Sequence, residues 1–416
     1  MTVVSRSVES ADWAFHADDG EVLDALINGD HVRSLREYFG APAHAQLSRL
    51  AAAARRAGPP RGTRVLILPG IMGSKIGVPP EVLWIDPLQI AAGRLADLRL
   101  PQGRAFGTGG VLLFSYARLK LELAINGRDA RFHAYDWRLG LDELGAQLAQ
   151  RIVQDGQPVI LLAHSMGGLV ARMAMRLLPR HWVRKLIMMG TPNAGSFAAV
   201  QALRGTYPFV RRMSRLDREH SAEQLAATVF ATFPGLYHML PSQRLDGIDL
   251  YDPRQWPARG PSLRRAILDS AAAVRARLAP VDSRMVHIVG VGQDTVVGLR
   301  RTARGFEYLI SKNGDGTVPR SSAALPKLKC YFADELHGNL ANNVQVIQAV
   351  IDLLESGRTR RLPQRWPVNR GALKRIDDRQ LRRLESVAKI DWASLTSAQR
   401  EAALGDLDST RLVIRQ

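Results

Sequence analysis

The stretch LLAHSMGGLV, residues 161–170, sets Ser165 between an apolar run and a pair of glycines. A serine hydroxyl is a weak nucleophile until a neighbouring base takes its proton and an acid orients that base. The chain supplies both in order. Asp315 stands between two glycines in SKNGDGTVPRSSA, and His337 follows an apolar run in ADELHGNLANN. Asp294 in GVGQDT follows its preceding apolar run more closely, and Asp334 is nearest the histidine in sequence, so both are rival acids. Taken singly, each has a bland reading: a serine in an ordinary turn, an aspartate in a D-G turn, a surface histidine at a loop end. Taken together they describe nucleophile, acid and base.

Attack on a carbonyl also needs two backbone N–H donors aimed at the oxygen that gains charge. One should be Met166, directly after the serine. The other should lie in the loop after an early strand, and LILPGIMGSKIG, where Pro69–Gly70 turns the chain, points to the amide of Ile71. This glycine-rich loop ends in neither G-K-[ST] nor G-x-G-x-x-G, so nucleotide binding is set aside.

These residues must be positioned by regular elements. Short apolar runs, each ending in a glycine, proline or polar turn, begin at residues 64, 131, 158, 185, 285 and 328, with helical patterns between most of them. Continuous apolar strands alternating with helices predict a mostly parallel sheet covered on both faces. After the run 159–163, Val170, Met173, Ala174 and Leu177 fall on one helix face. The serine therefore sits at a strand–turn–helix junction, where a sharp turn leaves room only for small residues at 163 and 167. Ala163 takes the place of the first glycine in the usual G-x-S-x-G. The predicted class is an α/β-hydrolase fold.

Residues 1–60 read as a helical extension ending at the breaker GPPRG, and 61–356 as the hydrolase domain. Within it the strand signal stops over about 200–282, a segment rich in aromatics and prolines that would suit a lid. Residues 357–416 read as a basic linker followed by a small appendage of polar helix, from DDRQLRRL onward.

The motifs resemble the lecithin:cholesterol acyltransferase-like branch of α/β-hydrolases, which includes acyltransferases, phospholipases and bacterial esterase and lipase relatives. The matching pieces are LPGIMGS, LWIDP (83–87), YDWR (135–138), AHSMGG (163–168), GTPNAGS (190–196), GDGTVP (314–319) and LHGNL (336–340), in order over roughly 62–355. The resemblance implies Ser165 as nucleophile, Asp315 as acid, His337 as base, and Ile71 with Met166 as oxyanion donors. It strengthens Asp315 against Asp294. It implies an acyl ester, above all a lipid or phospholipid, as substrate and hydrolysis through an acyl-enzyme as the outcome, with transfer to an alcohol as the alternative and a non-catalytic lipid-binding scaffold as a remote one. Asp136, Trp137 and Arg138 read as structural supports behind the site, Trp84 as either a substrate contact or a packing residue, and His164 as a local hydrogen-bonding group.

The bulk composition bounds the rest. With 46% hydrophobic and 23% charged residues, the 416-residue chain is that of a globular protein. Cys330, the only cysteine, excludes an internal disulfide and reads as a structural residue on a strand. His16, His44, His181 and His220 show no metal-ligand spacing, and no cofactor is expected. The N-terminus lacks an apolar signal core and no span is long enough to cross a bilayer, so a cytoplasmic location is expected. The net charge of +18 favours an anionic partner. Arginines concentrate in RRMSRLDRE and in GRTRRLPQRWPVNRGALKRIDDRQLRR, which suits peripheral contact with an anionic membrane surface. No nucleic-acid reading module is recognisable.

Overall fold

The computed structural model describes residues 12–78, 81–101, 106–242, 248–384, 389–396 and 399. Its strands in chain order are β1 Arg64–Leu68, β2 Ser74–Val78, β3 Glu81–Trp84, β4 Thr108–Val111, β5 Ala130–Phe132 and β6 Val159–His164. They continue with β7 Val183–Met189, β8 Met285–Val291, β9 Thr295–Thr302, β10 Gly305–Ser311, β11 Lys329–Asp334 and β12 Lys374–Asp377. Six form one sheet in the order β11-β8-β7-β6-β1-β5, and every neighbouring pair is parallel. These six are the apolar runs picked out by the sequence.

Their continuous apolarity has a direct cause. Along β1, Leu66 and Leu68 enter one core while Val65 and Ile67 enter the other. The helices Leu141–Gln154 and Met166–Leu177 cover the first face, through residues such as Leu144, Leu148, Leu169 and Val170. The helices Ala41–Arg56, Leu113–Ile125 and Val344–Ser356 cover the second, through Ala51, Leu119 and Val350 among others. β5 is shorter than the run at 131 suggests. After Phe132 the chain turns toward the loop following β1, where the Tyr135 N–H reaches Ser74 Oγ at 3.1 Å and its hydroxyl donates to Pro69 O at 2.6 Å.

Two small antiparallel sheets were not expected. β3-β2-β4 lies beside the glycine-rich loop, and β12-β10-β9 builds on a hairpin between β9 and β10. Their strands carry glycine or charge (SKIGV, TGGV, TVVGLRRT), which dilutes the period-two signal. The hairpin is an excursion. It leaves the end of β8 and returns there, with Gly292 N–H donating to Lys312 O at 3.1 Å and Gln293 N–H to Gly314 O at 2.9 Å.

Residues 357–373 hold no helix or strand and are exposed at most positions. The segment touches the domain at a few points: β11 is met where Phe332 N–H donates to Pro363 O at 2.9 Å, and Arg320 Nη1 donates to Trp366 O at 2.8 Å. The first of these bonds satisfies one N–H of an edge strand, whose unpaired groups can recruit another chain. The polar helix expected from residue 377 is confined to Asp378–Leu384 among the described residues, and the stretch before it is strand β12, which pairs with β10. Residues 400–416 lie outside the described residues.

At the other end, helices Trp13–His16, Asp19–Asn28 and Val32–Phe39 precede Ala41–Arg56. Asp18 and Glu21 form a reciprocal capping box at the second of them. Lys75, 1% exposed, donates from Nζ to Ala17 O at 2.7 Å and so ties this extension to β2. Between β7 and β8 the chain forms helices Phe197–Leu203, Pro208–Leu216, Ala222–Thr228 and Pro234–Tyr237. No helix among the described residues is long and apolar enough to cross a membrane.

Candidate active site

β6 ends at His164, and Ser165 takes φ 51° and ψ −125° before the helix Met166–Leu177 begins. Positive φ is costly for a residue with a Cβ, so the surroundings must enforce it. Ser165 N–H is fixed by Met189 O at 2.8 Å, and Ser165 O accepts from Gly168 N–H at 3.0 Å. The glycines after the serine are packing requirements. A Cβ at Gly167 would lie 2.5 Å from Pro69 O, and one at Gly168 would lie 2.0 Å from Thr191 Oγ1. Ala163, by contrast, fits fully buried in the core.

His337 Nε2 lies 2.8 Å from Ser165 Oγ, and its Nδ1 lies 2.8 Å from Asp315 Oδ2. The other carboxylate oxygen, Oδ1, accepts from the N–H groups of Thr317 at 3.0 Å and Val318 at 2.7 Å. The backbones join as well, His337 N–H donating to Asp315 O at 2.8 Å. All three side chains are buried, Asp315 most of all at 1% exposed. The rival acids point elsewhere: Asp294 pairs with Lys374 at 3.0 Å, and Asp334 accepts from Gln293 Nε2 at 2.8 Å. Asp315 is the carboxylate that reaches His337 because the β9–β10 excursion delivers it back to the end of β8, where it bridges to Gln293.

Ile71 sits in the turn after β1 and lines a cavity that opens on Ser165. Met166 is the first residue of its helix, so its N–H has no intrahelical acceptor. Its side chain is buried in the core. Trp84 is 1% exposed and borders the same cavity, while its indole N–H donates to Met72 O at 2.8 Å. It therefore packs and also pins the loop that carries Ile71. Behind this loop the YDWR residues act as braces. Trp137 Nε1 donates to Ser74 O at 3.0 Å, and Arg138 is gripped by Asp136 through Nε at 2.8 Å and Nη2 at 2.6 Å.

The cavity measures about 160 Å³. Its lining is mostly apolar, with Met72, Trp84, Leu112, Phe114, Phe209 and Met239 among the residues that face it. Tyr207 closes over the acid loop, its hydroxyl 3.3 Å from Thr317 Oγ1. Apart from Ser165 and His337, few polar groups face this space.

His164 is fully engaged. Its Nδ1 lies 2.9 Å from Tyr116 Oη and its Nε2 lies 2.9 Å from His337 O. Burial, with His337 beside it, pushes its pKa down to about 3. Tyr116 was not singled out in the sequence, since a tyrosine on an amphipathic helix carries no distinguishing signal. Among the described residues no group of three or more His, Cys, Asp or Glu could hold a metal ion. His16 pairs with Asp86 at 3.2 Å and His220 with Asp217 at 3.1 Å. Cys330 is half-buried on β11, with its thiol pushed up to about 11 by burial.

A six-stranded parallel sheet, with the serine at a strand–helix turn, an aspartate at the end of β8 and a histidine after β11, defines an α/β-hydrolase. Over residues 125–259 the chain matches the family described as Lecithin:cholesterol acyltransferase, so the resemblance carried by the motifs holds there. No curated protein matches the chain in sequence. Among solved structures, the Tle4-Tli4 complex is similar at 14% identity and a TM-score of 0.45, over 70% of this chain and 97% of that one. The mature lipase BlEst2 of Bacillus licheniformis is similar at 14% identity and a TM-score of 0.38, over 73% and 97%. The phospholipase PlaB of Legionella pneumophila is similar at 13% identity and a TM-score of 0.33, over 71% and 57%.

Proposed function

We propose that the protein is a serine hydrolase of acyl esters, of the lipase and phospholipase type. The observation that carries this reading is the hydrogen-bonded chain Ser165–His337–Asp315 at the mouth of an apolar cavity. His337 Nε2 takes the Ser165 proton as Oγ attacks the ester carbonyl, and Asp315 holds the proton on Nδ1 and stabilises the imidazolium. The amides of Ile71 and Met166 receive the developing oxyanion, aided by the positive end of the helix that begins at Met166. His337 then protonates the departing alcohol, and water repeats the sequence on the acyl-enzyme. An apolar cavity walled in part by Trp84 suits an acyl chain and suits a sugar or nucleotide poorly.

The fold and family are consistent with both acyl-ester hydrolysis and acyl transfer, and the family description favours transfer to an alcohol as the second reading. Contact with an anionic membrane belongs to the same proposal. Its support is the net charge of +18 and the exposed Arg375, Arg379 and Arg383. The basic clusters are not wholly available, however. Arg211 is bonded to Glu223 and to Arg382 O, and Arg218 is paired with Asp391.

Labelling with a fluorophosphonate probe tests the enzyme reading, because the probe needs an activated serine. The wild type should label and Ser165→Ala should not; equal reactivity of the two would sink the proposal. Lipid esters supplied with and without an acceptor alcohol then separate free fatty acid from new ester.

A further inference from the structure

We propose that Tyr116 and His164 are positioning residues that set the oxyanion loop and the base loop against each other through a line of fixed protons. The inference rests on the serine-hydrolase reading of the same site, and extends it to two residues that do not touch the reacting atoms.

The donors and acceptors along this line admit one assignment. A backbone carbonyl can only accept, so the 2.9 Å contact of His164 Nε2 with His337 O places a proton on Nε2. His164 is neutral at ordinary pH, its pKa being pushed down to about 3 by burial, so Nδ1 is bare and accepts. Tyr116 must then donate its hydroxyl proton to Nδ1, at 2.9 Å. A lone pair of the same oxygen accepts the Gly70 N–H, also at 2.9 Å. The result is one directed relay: Gly70 N–H to Tyr116, Tyr116 O–H to His164, and His164 N–H to the carbonyl of His337.

The ends of this relay are what give it a role. Gly70 precedes Ile71 in the turn after β1, and His337 is the residue that must accept the serine proton. The two loops follow β1 and β11, which are separated in the sheet by β6, β7 and β8. Tyr116 is 3% exposed and His164 6%, so no bulk water competes for their bonds. There is little slack around them. A Cβ at Gly70 would lie 3.0 Å from Ser165 Cβ and 3.2 Å from His164 Nδ1. The His164 and His337 rings are 4.9 Å apart between centroids, so a charged His164 would oppose the imidazolium that forms on His337. This explains why the histidine beside the nucleophile must stay neutral, and why it is not a second base: both of its nitrogens are already committed.

If the relay positions the two loops, breaking it should weaken stabilisation of the transition state and leave ground-state binding alone. Tyr116→Phe keeps the ring and deletes its hydrogen bonds to Gly70 and His164. His164→Asn keeps an acceptor near Nδ1 and loses the donor to His337 O; His164→Gln does the reverse. On a p-nitrophenyl ester, Tyr116→Phe should lower kcat by about 10-fold to 100-fold, the scale of a small misplacement of reacting groups, with KM within about 2-fold. The fluorophosphonate labelling rate should fall in parallel. Each His164 variant should lose rate, and Tyr116→Phe should add little to His164→Gln, whose acceptor toward Tyr116 is already gone. A melting temperature close to wild type in Tyr116→Phe separates positioning from unfolding. If Tyr116→Phe labels and turns over within about 2-fold of an active wild type, the positioning role is refuted and the hydrolase reading stands. If the wild type itself fails to label at Ser165, the hydrolase reading fails and the relay loses its role with it.

Discussion

Asp315→Asn is the most incisive substitution in the proposed site, because the surrounding donors dictate which way the new amide must face. Oδ1 of Asp315 accepts two backbone N–H groups, from Thr317 at 3.0 Å and Val318 at 2.7 Å. An NH2 group turned toward them would oppose two donors at once. The asparagine therefore keeps its oxygen on that side and presents NH2 to His337 Nδ1, now 2.8 Å from a group that only donates. Nδ1 must then accept, the ring proton moves to Nε2, and Nε2 faces Ser165 Oγ as a donor. An imidazole in that tautomer cannot take the serine proton. The expected loss is about 10⁴-fold in kcat, or roughly 5 kcal/mol of transition-state stabilisation at about 1.4 kcal/mol per tenfold. KM should change little. The fold should survive, since both backbone donors keep their acceptor, and the melting temperature should stay within a few degrees of wild type. Ester turnover and fluorophosphonate labelling give the rate, with Asp294→Asn and Asp334→Asn as controls expected to remain active. An Asp315→Asn protein within tenfold of wild type would refute the reasoning, as would an equal loss in Asp294→Asn.

Acid should unfold the protein early. Burial holds His133 and His238 near pKa 4 and His164 and His287 near 3, all below the ordinary value of 6.5. The unfolded chain therefore binds more protons than the folded one below about pH 6.5, and stability falls with pH from there toward 4. Asp19, raised to about 6 by burial, works in the opposite sense between its ordinary value of 3.8 and 6. Urea titrations at steps from pH 7 to 4 should show a net uptake of roughly three protons on unfolding, against none if these histidines are solvated. Asp378→Ala should cost about 3–5 kcal/mol in the same assay. It strips Arg204, itself 2% exposed, of its buried partner at 2.9 Å, and the double change with Arg204→Met should recover part of the loss. Trp84→Ala should enlarge the cavity and shift preference toward longer acyl chains, while kcat falls because Met72 O loses its donor at 2.8 Å; an unchanged chain-length profile would remove Trp84 from the substrate wall. Binding to anionic vesicles should weaken as salt rises, because the contact is made by exposed charges.

Much of this protein is determined locally and can be read from the chain. Residues 159–163 are apolar at every position because both faces of β6 are covered, and that pattern needs no partner to be visible. The glycines at 167 and 168 announce a turn with no space around it, and the order of Ser165, Asp315 and His337 follows from the order of the strands that carry them. Tertiary structure alone decided the rest. The exclusion of Asp294 and Asp334 depends on a hairpin that leaves β8 and comes back, and neither strand of it shows a clean period of two. The charged stretch 357–377 looks like a solvated linker, yet Pro363 O pairs with β11 and residues 374–377 add a strand to β10, because backbone N–H and C=O groups pair without regard to side-chain polarity. Tyr116 and His164 are ordinary residues in sequence, 48 positions apart. What sets them apart is that they join Gly70 to His337 through three hydrogen bonds of 2.9 Å, and only a folded interior brings those groups together.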